Sequence, residues 1–356
     1  MQAFVYNSNP GRVIFGDGTL SRLPAEVERL GLARVLVLAT PVQEASANQL
    51  SQEIGARSAG VFAEARMHTP VEITERALAV VTERRIDGLV AVGGGSTTGL
   101  AKALALRTDL PQIVAPTTYA GSEMTPILGE TQDGRKVTQS SPKILPEVVI
   151  YDVNLTLSLP VAQSVTSGMN AIAHSVEALY TKDANPLIAT LAEKSIAALA
   201  YGLPGIAADP NDREARSQAL FGAWLAGICL GSVGMALHHK LCHTLGGMFD
   251  LPHAETHTAV LPHAVAYNSP ATPEAMKAVV RALNTGGRTV NDAATGLFDL
   301  AKSLGAQMAL REFGMPERAI VEATEASLAN PYWNPRPLEK SAIQALLTAA
   351  YNGTRP

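Results

Sequence analysis

VAVGGGSTTGLAKALAL, Val90 to Leu106, runs from an unbroken apolar stretch through three glycines and a serine into a helical pattern. An apolar strand without alternation is buried on both faces, the mark of a parallel sheet covered by helices. Glycines let a backbone approach an anion closely, and the helix opening after them offers unpaired N–H groups at a positive dipole end. Gly93, Gly94, Gly95 and Ser96 are therefore expected to cradle a pyrophosphate. The spacing is neither Gly-x-Gly-x-x-Gly nor a phosphate loop ending in Gly-Lys-Ser/Thr, and a tight strand-to-helix turn alone would look the same.

Working outward from this unit, RVLVLAT (34–40), QIVAPTT (112–118) and EVVIYD (147–152) are further short apolar runs. Helical patterns such as LPAEVERLGL and VEITERALAVVTERR separate them, which indicates an α/β half with a Rossmann-like parallel sheet. APTTYAGSEMT adds a second polar strand end carrying Thr117, Thr118, Gly121 and Ser122, and adjacent strand ends are where open α/β sheets bind ligands. Together the two turns indicate a dinucleotide. ILGETQDGRKVTQ reads as a hairpin turning at Asp133-Gly134. From about Val161 the chain is rich in Ala and Leu with helical periodicity and no convincing strand. The expected organisation is an α/β dinucleotide-binding domain over residues 1–155 and an all-helical substrate domain over 156–356, with a cleft between them.

The helical half gathers imidazoles. GMNAIAHSVEALY (168–180) places Asn170 and His174 four residues apart, on one helix face. LHHKLCHTLGGMFDLPHAETH holds five of the chain's eight histidines; His239 and His243 repeat the spacing, and Pro252 precedes His253 at another helix start. A lone helical histidine is ordinarily a packed or surface residue, but this pattern can bring three imidazoles and an amide to one point, where zinc or iron would accept the rings. His238, beside His239, must point elsewhere, and it, His257 and His263 read as structural.

Composition bounds the rest. The 356 residues are 47% hydrophobic and 17% charged, a globular balance long enough for two domains. A net charge of −4 gives no footprint for nucleic acid or an anionic membrane. Cys229 and Cys242, the only two cysteines, do not indicate a disulfide framework. No basic and apolar leader is visible, and the most apolar stretch, ALFGAWLAGICLGSVGMAL, reads as a buried helix interrupted by small residues. A cytoplasmic protein is expected.

On these motifs the chain resembles the iron-containing alcohol dehydrogenase superfamily over essentially its whole length, with Gly93 to Lys102 and Pro116 to Thr118 matching its signatures. Within it, GGGSTTGLAKA, APTTYAGSEMTPI, LPEVVIYDVNLTLSLP, GMNAIAHSVEALY, LHHKLCHTLGG and NPYWNPRP are similar to the maleylacetate reductases. The resemblance implies a dehydroquinate synthase-like fold, NADH or NADPH as cofactor, a dicarboxylate substrate and a homodimer. It places the family's metal positions on Asn170, His174, His239 and His253, a histidine near nicotinamide and substrate on His243, and a lysine near the cofactor ribose on Lys136.

Three departures follow. Asn170 stands where the family has its anionic ligand, so three neutral imidazoles and an amide would leave a divalent charge uncompensated; no metal requirement is expected, in line with the subgroup. Gly99 stands where metal-dependent relatives often carry Asp. Thr40 ends the strand where an acidic residue would bond the adenosine ribose and repel a 2′-phosphate, so NADPH is not excluded. The implied reaction reduces the C=C of maleylacetate to 3-oxoadipate, late in aromatic-ring degradation, with His243 or His253 as donor and Lys240 and Arg336 as cations for the substrate carboxylates. The alternatives are a metal-dependent NAD alcohol dehydrogenase and a catalytically silent nucleotide sensor.

Overall fold

The computed structural model describes Phe4, Tyr6, Asn9, residues 11–132 and residues 135–356, with Arg135 and Lys136 described by backbone only. By internal contacts the chain divides into one unit of Ser8–Leu159 and another of Met1–Asn7 with Pro160–Pro356. The division thus falls a few residues beyond the expected 155. The reason is local: Asp152 accepts from the Asn154 N–H at 2.9 Å and from the N–H groups of Gly18 and Leu20 at 2.9 and 2.8 Å. The single turn Val153–Thr156 is thereby tied to the sheet side of the boundary.

The first unit contains strands β1 (Arg12–Gly16), β2 (Val35–Leu38), β3 (Ser58–Phe62), β4 (Gly88–Gly93), β5 (Gln112–Pro116), β6 (Ile127–Gln132), β7 (Arg135–Ser140) and β8 (Val148–Asp152). Its helices are α1 (Leu23–Arg29), α2 (Glu44–Ile54), α3 (Val71–Glu83) and α4 (Gly95–Thr108). Six strands pair in the order β1-β8-β5-β4-β2-β3, every pairing parallel. Val35, Val37, Val90, Ile113 and Ile150 pack on one face with α1 and α2 residues, and Leu36, Leu38, Leu89, Ala91 and Val114 on the other with α3 and α4 residues. Burial on both faces removes the need for alternation, which is why these strands read as continuous apolar runs. β6 and β7 form the expected antiparallel hairpin; its turn, Asp133-Gly134, lies outside the described residues.

The second unit contains α5 (Val161–Ala178), α6 (Pro186–Ala208), α7 (Arg213–Ser232), α8 (Leu237–Phe249), α9 (His253–Asn268), α10 (Pro273–Leu283), α11 (Ala293–Ser303), α12 (Ala319–Ala329) and α13 (Lys340–Asn352), and no strand among the described residues. Small residues set its closest approach: a Cβ on Gly202 of α6 would sit 2.6 Å from the Ala215 carbonyl oxygen of α7. Leu199, Leu203 and Leu220 beside that seam are fully buried, contributing roughly 2 kcal/mol each. No single helix is long and apolar enough to cross a membrane; α7 and α8 reach that composition only together and bend by 94° between them. Cys229 and Cys242 are buried free thiols.

Candidate active site

In the α/β unit, β4 and β5 are neighbours with Gly93 paired to Pro116, so the turns 93–96 and 117–122 leave the sheet together. The Thr117 N–H donates to the Gly93 carbonyl at 3.0 Å. The strand order changes direction between β2 and β4, since β2 is followed by β3 on one side and β4 by β5 on the other, so the end of β4 borders the position where such sheets take a ligand. Gly93 has φ +155°, and a Cβ there would lie 2.3 Å from Thr97 Oγ1 and 2.8 Å from Gln43 Oε1; no larger residue fits. Gly94 caps α4 without any side-chain bond and lies against Thr118, while a Cβ on Gly95 would meet nothing within 4 Å. Ser96 follows in the first turn of α4. The hydroxyls of Thr97 and Ser122 are buried without a hydrogen-bond partner. Open N–H groups at a helix start and unpaired hydroxyls suit a phosphate.

The surrounding groups hold this turn still. Thr40, two residues after β2, donates to Gln43 Oε1 at 2.9 Å, and Gln43 Nε2 donates to Thr117 Oγ1 at 3.3 Å. Gly121, at φ +76°, opens the single turn carrying Ser122. Fully buried Lys102 donates from Nζ to the carbonyls of Ser122, Thr125 (2.7 Å) and Ile127 (3.0 Å) and to Thr125 Oγ1 (3.0 Å). Burial draws its pKa down to about 7 and the Glu123 carboxyl pulls it back up; four oxygen acceptors around one Nζ favour the ammonium form. The place of a side chain at Gly99 is taken by Thr69, whose Oγ1 would be 2.3 Å from a Cβ there. The Lys136 side chain lies outside the described residues.

In the helical unit, six histidines assemble. Glu177, fully buried on α5, accepts from the backbone N–H of Ala236 (2.9 Å) and His238 (2.8 Å), fixing the start of α8. Its Oε2 lies 2.7 Å from His239 Nδ1. His239 Nε2 lies 2.7 Å from His174 Nδ1, and His174 Nε2 lies 3.3 Å from Asn170 Nδ2. With both rings neutral, the carboxylate sets every proton in this chain. His239 gives Nδ1–H to Glu177, so its Nε2 must accept from His174 Nδ1–H; His174 Nε2 must then accept, and the Asn170 amide supplies the N–H. The Asn170 Oδ1 is left buried and unpartnered. His243 and His253 stack at 6.5 Å between ring centroids, and His253 packs on His257 at 4.3 Å. His238 turns to a buried side of α8, 3.1 Å from His257 Nδ1 and 3.8 Å from Cys242 Sγ. Burial, then the neighbouring rings, push His238 and His257 well below the usual imidazole range, so both stay neutral.

Comparison with known proteins gives this arrangement a family. The Fe-containing alcohol dehydrogenase family, C-terminal, matches residues 164–351, and iron-containing alcohol dehydrogenase matches residues 10–153. The chain belongs to the iron-containing alcohol dehydrogenase family. It is 54% identical over 356 residues to the maleylacetate reductase of Rhizobium sp. (strain MTP-10005), covering 100% of both chains. It is 54% identical over 353 residues to the maleylacetate reductase of Sphingobium indicum, covering 99% of each. The crystal structure of maleylacetate reductase from Agrobacterium tumefaciens superimposes with a TM-score of 0.95 at 52% identity over 100% of both chains.

As hydrogen-bonded in this structure, the donors of Asn170, His174 and His239 fit a divalent ion poorly. Two nitrogens bound to one ion at about 2.1 Å stand roughly 3 Å or more apart, whereas His174 Nδ1 and His239 Nε2 are 2.7 Å apart and bonded to each other. The set also contains no anion. Among the described residues, the three-donor group with ligand atoms within 4.8 Å of one another is His238, Cys242 and His257. There burial and Glu177 push the Cys242 thiol well above its usual range, and the two rings already bond each other. Hydrogen bonds link Asn170, His174 and His239 in that order, and His253 packs with His243 and His257.

The segment NPYWNPRP lies across the ends of α8 and α9. Asn334 exchanges two hydrogen bonds with Asn268 (3.0 and 2.8 Å), and Tyr267 donates to the Pro337 carbonyl at 2.6 Å. Arg336 donates to the Tyr267 carbonyl at 2.9 Å with its guanidinium 4.2 Å above that ring, so the structure gives it a place in this strap. Lys240 Nζ lies 5.5 Å from the centre of the Tyr332 ring. Sequence reasoning missed Glu177, Gln43 and Tyr332. Glu177 was within reach, since it stands three residues after His174 on the same face; Gln43 and Tyr332 carry no spacing signal.

Proposed function

We propose that this chain is a maleylacetate reductase, using NADH or NADPH to reduce the C=C of maleylacetate to 3-oxoadipate. Full-length identity of 54% to maleylacetate reductases supports it. The hydrogen-bonded wire from Glu177 to Asn170 carries the finer reading that the reaction needs no metal. Gly93–Ser96, Thr117, Thr118, Gly121 and Ser122 would hold the pyrophosphate, with Thr40 near the adenosine ribose and Lys136 assigned to the cofactor by resemblance. Thr40 in place of an acidic residue leaves both cofactors admissible. When bound, the reduced nicotinamide supplies hydride to the carbon β to the substrate ketone.

The protein's own residues then manage the enolate. His243, with His253 stacked on it, donates to the developing enolate oxygen or delivers the proton to carbon. His174 and His239, locked into single tautomers by Glu177, keep the histidine cluster rigid. Lys240 supplies charge for a substrate carboxylate; the strap contacts of Arg336 make it a holder of that segment. A homodimer in the cytoplasm, acting late in aromatic-ring degradation, completes the proposal. The test is NADH and NADPH oxidation with maleylacetate, with and without EDTA. No turnover with either cofactor refutes the function; turnover lost in EDTA and restored by Zn²⁺ or Fe²⁺ refutes the metal-free reading and selects a metal-dependent enzyme.

A further inference from the structure

We propose that Tyr332 is a positioning residue for His243: its hydroxyl bonds one ring nitrogen and so presents the other, as N–H, to the substrate. The inference rests on the role of His243 proposed above. Tyr332 Oη lies 3.1 Å from His243 Nδ1, and the rings meet edge to face at 6.3 Å between centroids. An imidazole has two nitrogens and, when neutral, one proton; the partner of one nitrogen decides which carries it. For His239 that decision belongs to the Glu177 carboxylate. For His243 the tyrosine hydroxyl takes the corresponding place at Nδ1.

Three features make the tyrosine suited to this. Its segment is anchored independently of His243 through Asn334, Arg336 and Tyr267, so the hydroxyl is held from outside the histidine cluster. Lys240, one turn before His243 on α8, lies against the Tyr332 ring face, a cation–π contact that fixes the ring plane. Burial, and then the Glu177 carboxylate, raise the Tyr332 pKa, which keeps the phenol a donor throughout the neutral range. A phenol can donate or accept; assigned here as the donor to Nδ1, it leaves the proton of neutral His243 on Nε2. When Nε2–H passes its proton to the enolate carbon, the Tyr332 O–H proton moves onto Nδ1, so that the ring is never left as an imidazolate. The phenolate so formed takes up from bulk solvent the one H⁺ that the reduction consumes, since Tyr332 is 38% exposed. The balance is one hydride from the nicotinamide, one proton from His243 to carbon, and one proton from bulk solvent back through Tyr332.

The test is Tyr332→Phe, which removes the hydroxyl and keeps the ring against Lys240, made both in the wild type and in a His243→Ala background. In the wild type, kcat is expected to fall about 10-fold, with KM for maleylacetate and the dissociation constant for NADH within about twofold. In the His243→Ala background the same change is expected to cost nothing further, because two groups acting in series are lost together. Full kcat in Tyr332→Phe, with His243→Ala crippled, overturns this inference and leaves the role of His243 standing. An undiminished loss in the His243→Ala background also overturns it, as it would show the tyrosine acting separately. A His243→Ala enzyme that retains turnover overturns both.

Discussion

Asn170→Asp is the substitution that most directly questions the histidine wire. The change is nearly isosteric, yet it replaces the N–H that His174 Nε2 needs with a second lone pair, 3.3 Å away. Asn170 is 4% exposed and its other amide atom has no partner, so an aspartate there would be a buried carboxylate with neither donor nor cation. One hydrogen bond is lost and one charge is left uncompensated, a cost of about 3 kcal/mol or more. For a unit of this size that lowers Tm by roughly 6–12 °C. A divalent ion would relieve the strain by separating His174 from the carboxylate and supplying the missing charge. At about 100 times its dissociation constant such an ion restores about 2.7 kcal/mol. Thermal melts of wild type and Asn170→Asp in EDTA, then with Zn²⁺ or Fe²⁺, read both effects. The wild type should ignore the ion, whereas the variant should melt lower in EDTA and recover with metal. Equal melting of the two proteins in EDTA would refute the proton assignment along Glu177, His239, His174 and Asn170.

His243→Ala should lower kcat by about 10²–10⁴-fold, the range for a positioned acid or base, with NADH binding unchanged; His238→Ala should keep kcat near wild type while losing thermal stability, because that ring is fully buried. Gly93→Ala should weaken NADH binding at least about 10-fold, since its Cβ would meet Thr97 Oγ1 at 2.3 Å and a misplaced cradle costs over roughly 1.4 kcal/mol; wild-type affinity by fluorescence titration would discard the cradle. Acid should destabilise the fold. Burial takes His263 from 6.5 down to about 4, so the unfolded chain binds its proton first and stability is lost as pH falls from 6.5 to 4, about 3 kcal/mol from this residue. His238 and His257 act in the same direction; an unchanged Tm between about pH 7 and pH 4.5 contradicts this.

The α/β half was legible because its signals are local. RVLVLAT, the apolar start of VAVGGG, QIVAPTT and EVVIYD became β2, β4, β5 and β8 with ends within about two residues, since burial on both faces writes itself into a continuous apolar run. β1 and β3 carry weaker patterns at the two sheet edges and did not stand out. Gly93 of the β4 turn announced its own constraint, because a Cβ there would meet Thr97 and Gln43.

The sequence by itself picked out the histidines of the helical half and the amide at 170 that departs from a ligand set, but neither Glu177 nor Tyr332. It could not determine what they do to one another. Helical spacing fixes which side chains share a face, but the direction of a proton depends on partners 62 and 65 residues away, as between His239 and Glu177 and between His174 and His239. Only the packing of α5 against the start of α8 brings that carboxylate to the imidazole, and from there the tautomers follow in order to Asn170. The same holds for Tyr332, 89 residues from His243: no pattern in NPYWNPRP encodes that contact, because it is made by a strap whose course is set by Asn268 and Tyr267 on another helix.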